Sequence, residues 1–251
     1  MNILFLGNSL LIALMEECLK DNRIFGSECN YSFAIQVGGW GPSFKIENNK
    51  LVPENIAGEN KEKWPDFFYP PDVLNNQISF FDVIVVCALG SIGGGLEEST
   101  SICNLGQIFE FNPKPLEGNI PTVTKAEMLE MFPNWLNAQP GIQLLDYLKN
   151  VSSKIVLIEM PYLSEDIIEN PEWSLGRLYR NPEEAYKWFA SLRCKFLKEK
   201  ADGLNYNFIP ALFGDLGFTP REYVSHNDLF HTNAQYAKLL LRRISEVLID
   251  L

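Results

Sequence analysis

Apolar residues along this chain gather in short continuous runs more than in alternating ones. Asn2 to Leu6 is the first run, ending at Gly7; Asp82 to Leu89 ends at Gly90, and Lys154 to Met160 is closed by Pro161. Unbroken stretches of Val, Ile and Leu are the pattern of strands covered on both faces. Tyr31 to Val37 alternates weakly before Gly38-Gly39, and Tyr206 to Leu212 is a shorter run. Between them apolar positions recur at helical spacing over Leu10 to Lys20, Gly141 to Asn150, Pro182 to Ala201 and Asn233 to Leu251. The third of these has a coherent start, with Asn181 as N-cap, Pro182 at the first helical position and Glu183-Glu184 in the first turn. The last carries Ala237, Leu240, Leu241, Ile244, Val247 and Leu248 on one helical face. Strands alternating with helices predict one α/β domain over residues 1–251, with a mostly parallel sheet of about five strands between helical layers.

Two stretches break the alternation. Gly41 to Gln77 holds Pro42, Pro53, Pro65, Pro70 and Pro71 with the aromatic cluster Trp64, Phe67, Phe68 and Tyr69, and Ser91 to Pro140 holds Gly93-Gly94-Gly95 and Pro113, Pro115, Pro121 and Pro133. Long irregular insertions in a compact domain are commonly lids or binding loops, so both, at about 41–77 and 91–140, are expected to border a site. The triple glycine lacks the following Lys-Ser/Thr and the G-x-G-x-x-G spacing of a phosphate loop.

Charge and cysteine usage narrow the partners. With 21 Lys+Arg against 32 Asp+Glu the formal net charge is −11, which opposes nucleic acid or an anionic lipid surface as the main partner. A local basic patch is not visible: Arg242-Arg243 is a helical doublet, and Glu62 interrupts Lys61 and Lys63. Cys18, Cys29, Cys87, Cys103 and Cys194 are odd in number and never spaced C-x-x-C, which favours reduced thiols in a cytoplasmic protein. The apolar stretch Ile3 to Met15 lacks the cationic start and small-residue cleavage site of a signal peptide, and no segment has the roughly 20 apolar residues of a membrane span.

In an open parallel sheet, ligands bind at the carboxyl ends of the strands. The residues there are Gly7-Asn8-Ser9-Leu10, Gly38-Gly39-Trp40-Gly41, Gly90-Ser91-Ile92-Gly93 and a final loop from Ser225 to His231. The chain has two histidines, His226 and His231, so an imidazole base comes from this loop. Asp228, three residues before His231, is near enough to orient the ring and stabilise its protonated form, leaving the other nitrogen to deprotonate a serine. Ser9 is the best nucleophile candidate, since it lies where a strand turns into a helix. There its own N–H, with that of Gly38 or Gly39, can hold an oxyanion. Asn8, Trp40, Ser91 and His226 are the candidate substrate contacts. His226-x-Asp228-x-x-His231 also has metal-ligand residue types, but without an apparent further ligand no metal or other cofactor is assigned.

These blocks resemble the SGNH, or GDSL, hydrolases. Ile3-Leu4-Phe5-Leu6-Gly7-Asn8-Ser9-Leu10 is similar to the first block of that family, with Asn8 where Asp is usual; Gly38-Gly39 is similar to the second, and Asp228-Leu229-Phe230-His231, followed by a helix, to the last. The resemblance implies a flavodoxin-like three-layer α/β/α fold and an esterase, lipase, deacetylase or acyltransferase using Ser9, His231 and Asp228. An acylated carbohydrate or another small ester is then the expected substrate class. The third block departs from the family's G-x-N-D: Ile92 stands where an Asn supplies an oxyanion donor, and loss of one such donor typically costs about 100- to 1,000-fold in rate. Ser91, Ser99 or Asn104 could replace it. A non-catalytic member that binds a sugar or acyl carrier is the alternative.

Overall fold

The computed structural model describes residues 1–21, 23–26, 28–36, 44–53, 76–87, 105–114, 120–151, 153–166, 174–226 and 231–249. Five strands form the central sheet: β1 (Asn2–Asn8), β2 (Asn30–Gln36), β5 (Val83–Val86), β8 (Lys154–Ile158) and β9 (Asn207–Ile209). Their order is β2-β1-β5-β8-β9, and every pairing is parallel. Renumbered along the chain this is 2-1-3-4-5, the flavodoxin-like order of a doubly wound fold.

Both faces of the sheet are covered, which is why its strands read as unbroken apolar runs. Ile3 and Phe5 of β1 point into one core with Leu14 and Met15 of α1 (Ile12–Lys20) and with Tyr236, Leu240 and Ile244 of the C-terminal helix. Leu4 and Leu6 point into the other, with Met128 and Phe132, Ile142 and Leu145, and Phe189 and Leu197. Those pairs lie on α2 (Lys125–Asn137), α3 (Pro140–Leu148) and α5 (Pro182–Leu204), and the C-terminal helix is α6 (Ala234–Ile249), after the short α4 (Ser174–Leu178). The three-layer α/β/α architecture follows.

The expected insertions contain regular structure. Within 41–77, β3 (Phe44–Glu47) and β4 (Lys50–Pro53) form an antiparallel hairpin. Its turn residues Asn48 and Asn49 have φ of 52° and 62°, the left-handed values a two-residue hairpin turn requires and Asn tolerates. Within 91–140, β6 (Gln107–Ile108) and β7 (Thr122–Val123) pair in parallel ahead of α2. A capping box starts α2: Thr124 accepts from the Glu127 N–H, while Glu127 accepts from the Thr124 N–H. Pro133 is tolerated inside the helix because the turn it interrupts, at Leu129, faces solvent at 48% exposure. The cluster from Trp64 to Tyr69 and the triple glycine Gly93 to Gly95 lie outside the described residues. Asn181 precedes α5 as expected, but its side chain makes no capping hydrogen bond.

α1 and α6 also meet through charge. Glu17 is buried at 5% exposure, hydrogen-bonds Lys20 and lies 3.6 Å from Lys238 of α6. The hydrogen bond with Lys20, reinforced by Lys238, holds the Glu17 carboxyl below its ordinary range. A carboxyl depressed in the folded state stabilises above its unfolded pKa, and that contribution is lost as pH falls through the folded value. The Tm difference between the wild type and Glu17→Gln is therefore expected to be largest near neutral pH and to shrink below about pH 4, as thermal melts at graded pH would show. A Tm difference that does not change with pH would exclude this linkage.

Candidate active site

The carboxyl end of β1 is the switch point of the sheet, since the chain goes from β1 to β2 on one side and then to β5 on the other. That reversal opens the crevice in which doubly wound folds bind ligands. Ser9 sits there, half-buried, as the first residue of a 3₁₀ turn (Ser9–Leu11) that runs into α1. Asn8 is extended and its side-chain oxygen accepts the Leu10 N–H at 3.0 Å, which caps the turn; the Ile12 N–H then donates to the Ser9 carbonyl. Gly7 lets the turn close. A Cβ at Gly7 would stand 2.8 Å from the Cys87 carbonyl oxygen and 2.8 Å from Leu11 Cδ1.

His231 arrives from the opposite edge of the sheet. After β9 the chain returns toward β1, and an isolated antiparallel bridge joins Val224 to Thr232. The Ser225 N–H donates to the His231 carbonyl at 2.8 Å, and the Asn233 N–H to that of Tyr223 at 3.0 Å. The Asn233 amide donates to the Glu222 and Val224 carbonyls, while its oxygen accepts from the Gln235 and Tyr236 N–H groups and caps α6. This clamp places His231 Nε2 3.0 Å from Ser9 Oγ, between residues 222 apart in sequence. For Nε2 to accept the seryl proton, the ring must carry its own proton on Nδ1.

Of the other candidate residues, Asp228, Gly38, Gly39, Trp40, Ser91 and Ile92 lie outside the described residues, as do Ser99 and Asn104. His226 is exposed on the turn after Ser225. Among the described residues no three His, Cys, Asp or Glu side chains form a metal-binding group. No described helix is long and apolar enough to cross a membrane.

The fold adds two features that pattern reading missed. Lys187, Lys195 and Lys198 of α5 face Arg242 and Arg243 of α6 around a cavity of about 1340 Å³ beside β9. Four of these cations already have a carboxylate on their own helix, from Lys187 to Glu183 at 2.6 Å to Arg243 to Glu246 at 3.9 Å, so the groove is far less positive than its composition. The second feature is Glu159, directly after β8 and fully buried, paired with the equally buried Arg193 of α5 at 3.0 Å. Burial opposes the Arg193 charge, but Glu159 and Tyr162 beside it prevail and raise its pKa. Burial also pushes the neighbouring Cys194 thiol up to about 12, and Cys18 likewise, so neither is an activated nucleophile.

No family model matches this chain, and no curated protein matches it. Among solved structures it is similar to the crystal structure of the lipase/acylhydrolase from Enterococcus faecalis, at 14% identity and a TM-score of 0.39, over 98% of this chain and 96% of that one. A likeness that distant assigns no residue a role, and the pairing of Ser9 with His231 stands on this chain's own geometry.

Proposed function

We propose that residues 1–251 form one SGNH-type domain with ester hydrolase or O-acyltransferase activity. The observation that carries this reading is the 3.0 Å contact of His231 Nε2 with Ser9 Oγ at the switch point of a parallel sheet. Ser9 Oγ attacks the ester carbonyl as His231 takes its proton; His231 then returns that proton to the departing alkoxide, leaving an acyl group on Ser9. Asp228 is the proposed acceptor for the Nδ1 proton. The Ser9 N–H and that of Gly38 or Gly39 are the proposed oxyanion donors. Water then releases the acid, or an acceptor hydroxyl takes the acyl group. An acylated carbohydrate or small ester is the proposed substrate, with Asn8, Trp40, Ser91 and His226 bordering it.

Ile92, in the place of an oxyanion Asn, favours the second reading, a binding protein that retains the fold. A fluorophosphonate probe separates the two. The enzyme reading expects one adduct per chain, mapped to Ser9 by mass spectrometry and absent in Ser9→Ala. A folded wild type that takes no adduct supports the binding reading.

A further inference from the structure

Glu159 and Arg193 form a fully buried ion pair that the proton transfer does not use. Such a pair is a poor source of stability, because apolar residues of similar volume often replace it at no cost. What it joins is therefore more informative than what it stabilises. Arg193 Nη2 donates to the Met160 carbonyl at 2.8 Å, and its guanidinium lies 4.6 Å from the Tyr162 ring centre. Glu159 accepts the Tyr162 hydroxyl at 2.8 Å on one oxygen and the Ala211 N–H at 3.1 Å on the other. One carboxylate thus holds the segment after β8, the segment after β9 and α5.

From this pair two arms reach the site. In the first, the side chain of Met160, whose carbonyl Arg193 fixes, packs on Leu10 in a small cluster apart from both main cores. Leu10 follows Ser9 directly. In the second, Ala211 opens the segment that returns to His231, and Tyr162 fixes its middle: the Tyr162 carbonyl accepts the Thr219 hydroxyl at 2.6 Å, and the Leu163 carbonyl accepts the Thr219 N–H at 2.9 Å. The Glu165 N–H donates to the Thr219 carbonyl at 3.1 Å, and the Glu165 carboxylate accepts the Arg221 N–H at 3.0 Å. Three residues on, Val224 bridges to Thr232 beside the histidine.

We infer that Glu159 and Arg193 are a positioning pair that sets the distance between Ser9 and His231 by holding the segments behind each of them. The inference rests on the proposed role of those two residues. Neither Glu159 nor Arg193 touches substrate; they act through Met160 and Leu10 on one side and Tyr162 and Thr219 on the other. Reaction geometry is demanding enough that a displacement of about 1 Å can cost about 100-fold in rate.

The test replaces both members at once, Glu159→Leu with Arg193→Met, so that no buried charge is left alone. Tm, the rate of fluorophosphonate labelling and ¹⁵N imidazole shifts are measured together, with His226→Gln assigning the two rings. A variant that melts within a few degrees of the wild type is expected to label about 100-fold more slowly and to lose the hydrogen-bonded Nε2 signal of His231. Wild-type labelling and an unchanged Nε2 signal in the folded variant would overturn the inference. Should that variant not fold, Met160→Ala removes the packing on Leu10 and Thr219→Val the hydroxyl bond to the Tyr162 carbonyl, weakening each arm while leaving the pair intact. Each is expected to lower kcat about tenfold with little change in KM, and wild-type kcat in both would equally sink it. If the wild type itself does not label, the proposed function fails, and the Nε2 signal alone decides the positioning question in the same variants.

Discussion

Replacing His231 with alanine should lower turnover of an activated short-chain ester by roughly 10,000-fold or more, with Tm nearly unchanged. A seryl hydroxyl is almost wholly protonated at neutral pH, and the ring nitrogen 3.0 Å from Ser9 Oγ is the described group placed to take that proton. His231 is half-buried and its backbone is held by the Ser225 N–H, so removing the ring leaves the clamp between 223–225 and 231–233 in place. Ser9→Ala should fall to the same floor. The double variant should fall no further, because nucleophile and base act as a unit. His226→Ala, in the exposed neighbour proposed to border the substrate, should act on KM more than on kcat, which distinguishes a substrate contact from the base. Turnover of His231→Ala within tenfold of the wild type would assign the base elsewhere.

The parts of this molecule that repeat one physical pattern could be read from its sequence. Ile3 to Leu6, Val83 to Val86 and Ile155 to Ile158 are apolar without interruption because helices cover both faces, and that signal does not depend on distant partners. Ser9 was legible from its place at a strand end, and His231 because the chain offers so few imidazoles. Their pairing was expected from the chemistry a serine nucleophile needs and from the family resemblance, but the packing that produces it was not legible, since α6 packing back onto α1 and the Val224 to Thr232 bridge are long-range choices. The signal for α2 was present in Thr124-x-x-Glu127, a capping box, but Pro133 and its proline-rich surroundings read as irregular chain. The buried ion pair also left a trace. Arg193 falls on the stripe Tyr186, Phe189, Ala190 and Leu197 that faces the core, and Glu159 interrupts an otherwise apolar run. Each alone looks like noise in a hydrophobic pattern; only the fold shows that one answers the other.

Gly7→Ala should destabilise the protein by about 1–3 kcal/mol, a Tm loss of roughly 3–10 °C, and cut activity more than that instability explains. The reason is the absence of room on two sides. The Cys87 carbonyl, 2.8 Å from the new Cβ, cannot retreat freely, because the Cys87 N–H donates to the Leu6 carbonyl at 2.9 Å and locks β5 to β1. Leu11, at the same distance, is fully buried in the core between the sheet, α1 and α6. With strand and core both fixed, the movable part is the turn itself, Asn8 to Leu10. Shifting that turn strains the Asn8 cap on the Leu10 N–H and draws Ser9 away from His231. A displacement of about 1 Å there predicts a rate loss of about 100-fold measured well below the lowered Tm, where the folded fraction is unchanged. Loss of stability without that rate loss would show that the turn keeps its place while the core yields, and Gly7 would then be a packing residue rather than the one that fixes the nucleophile.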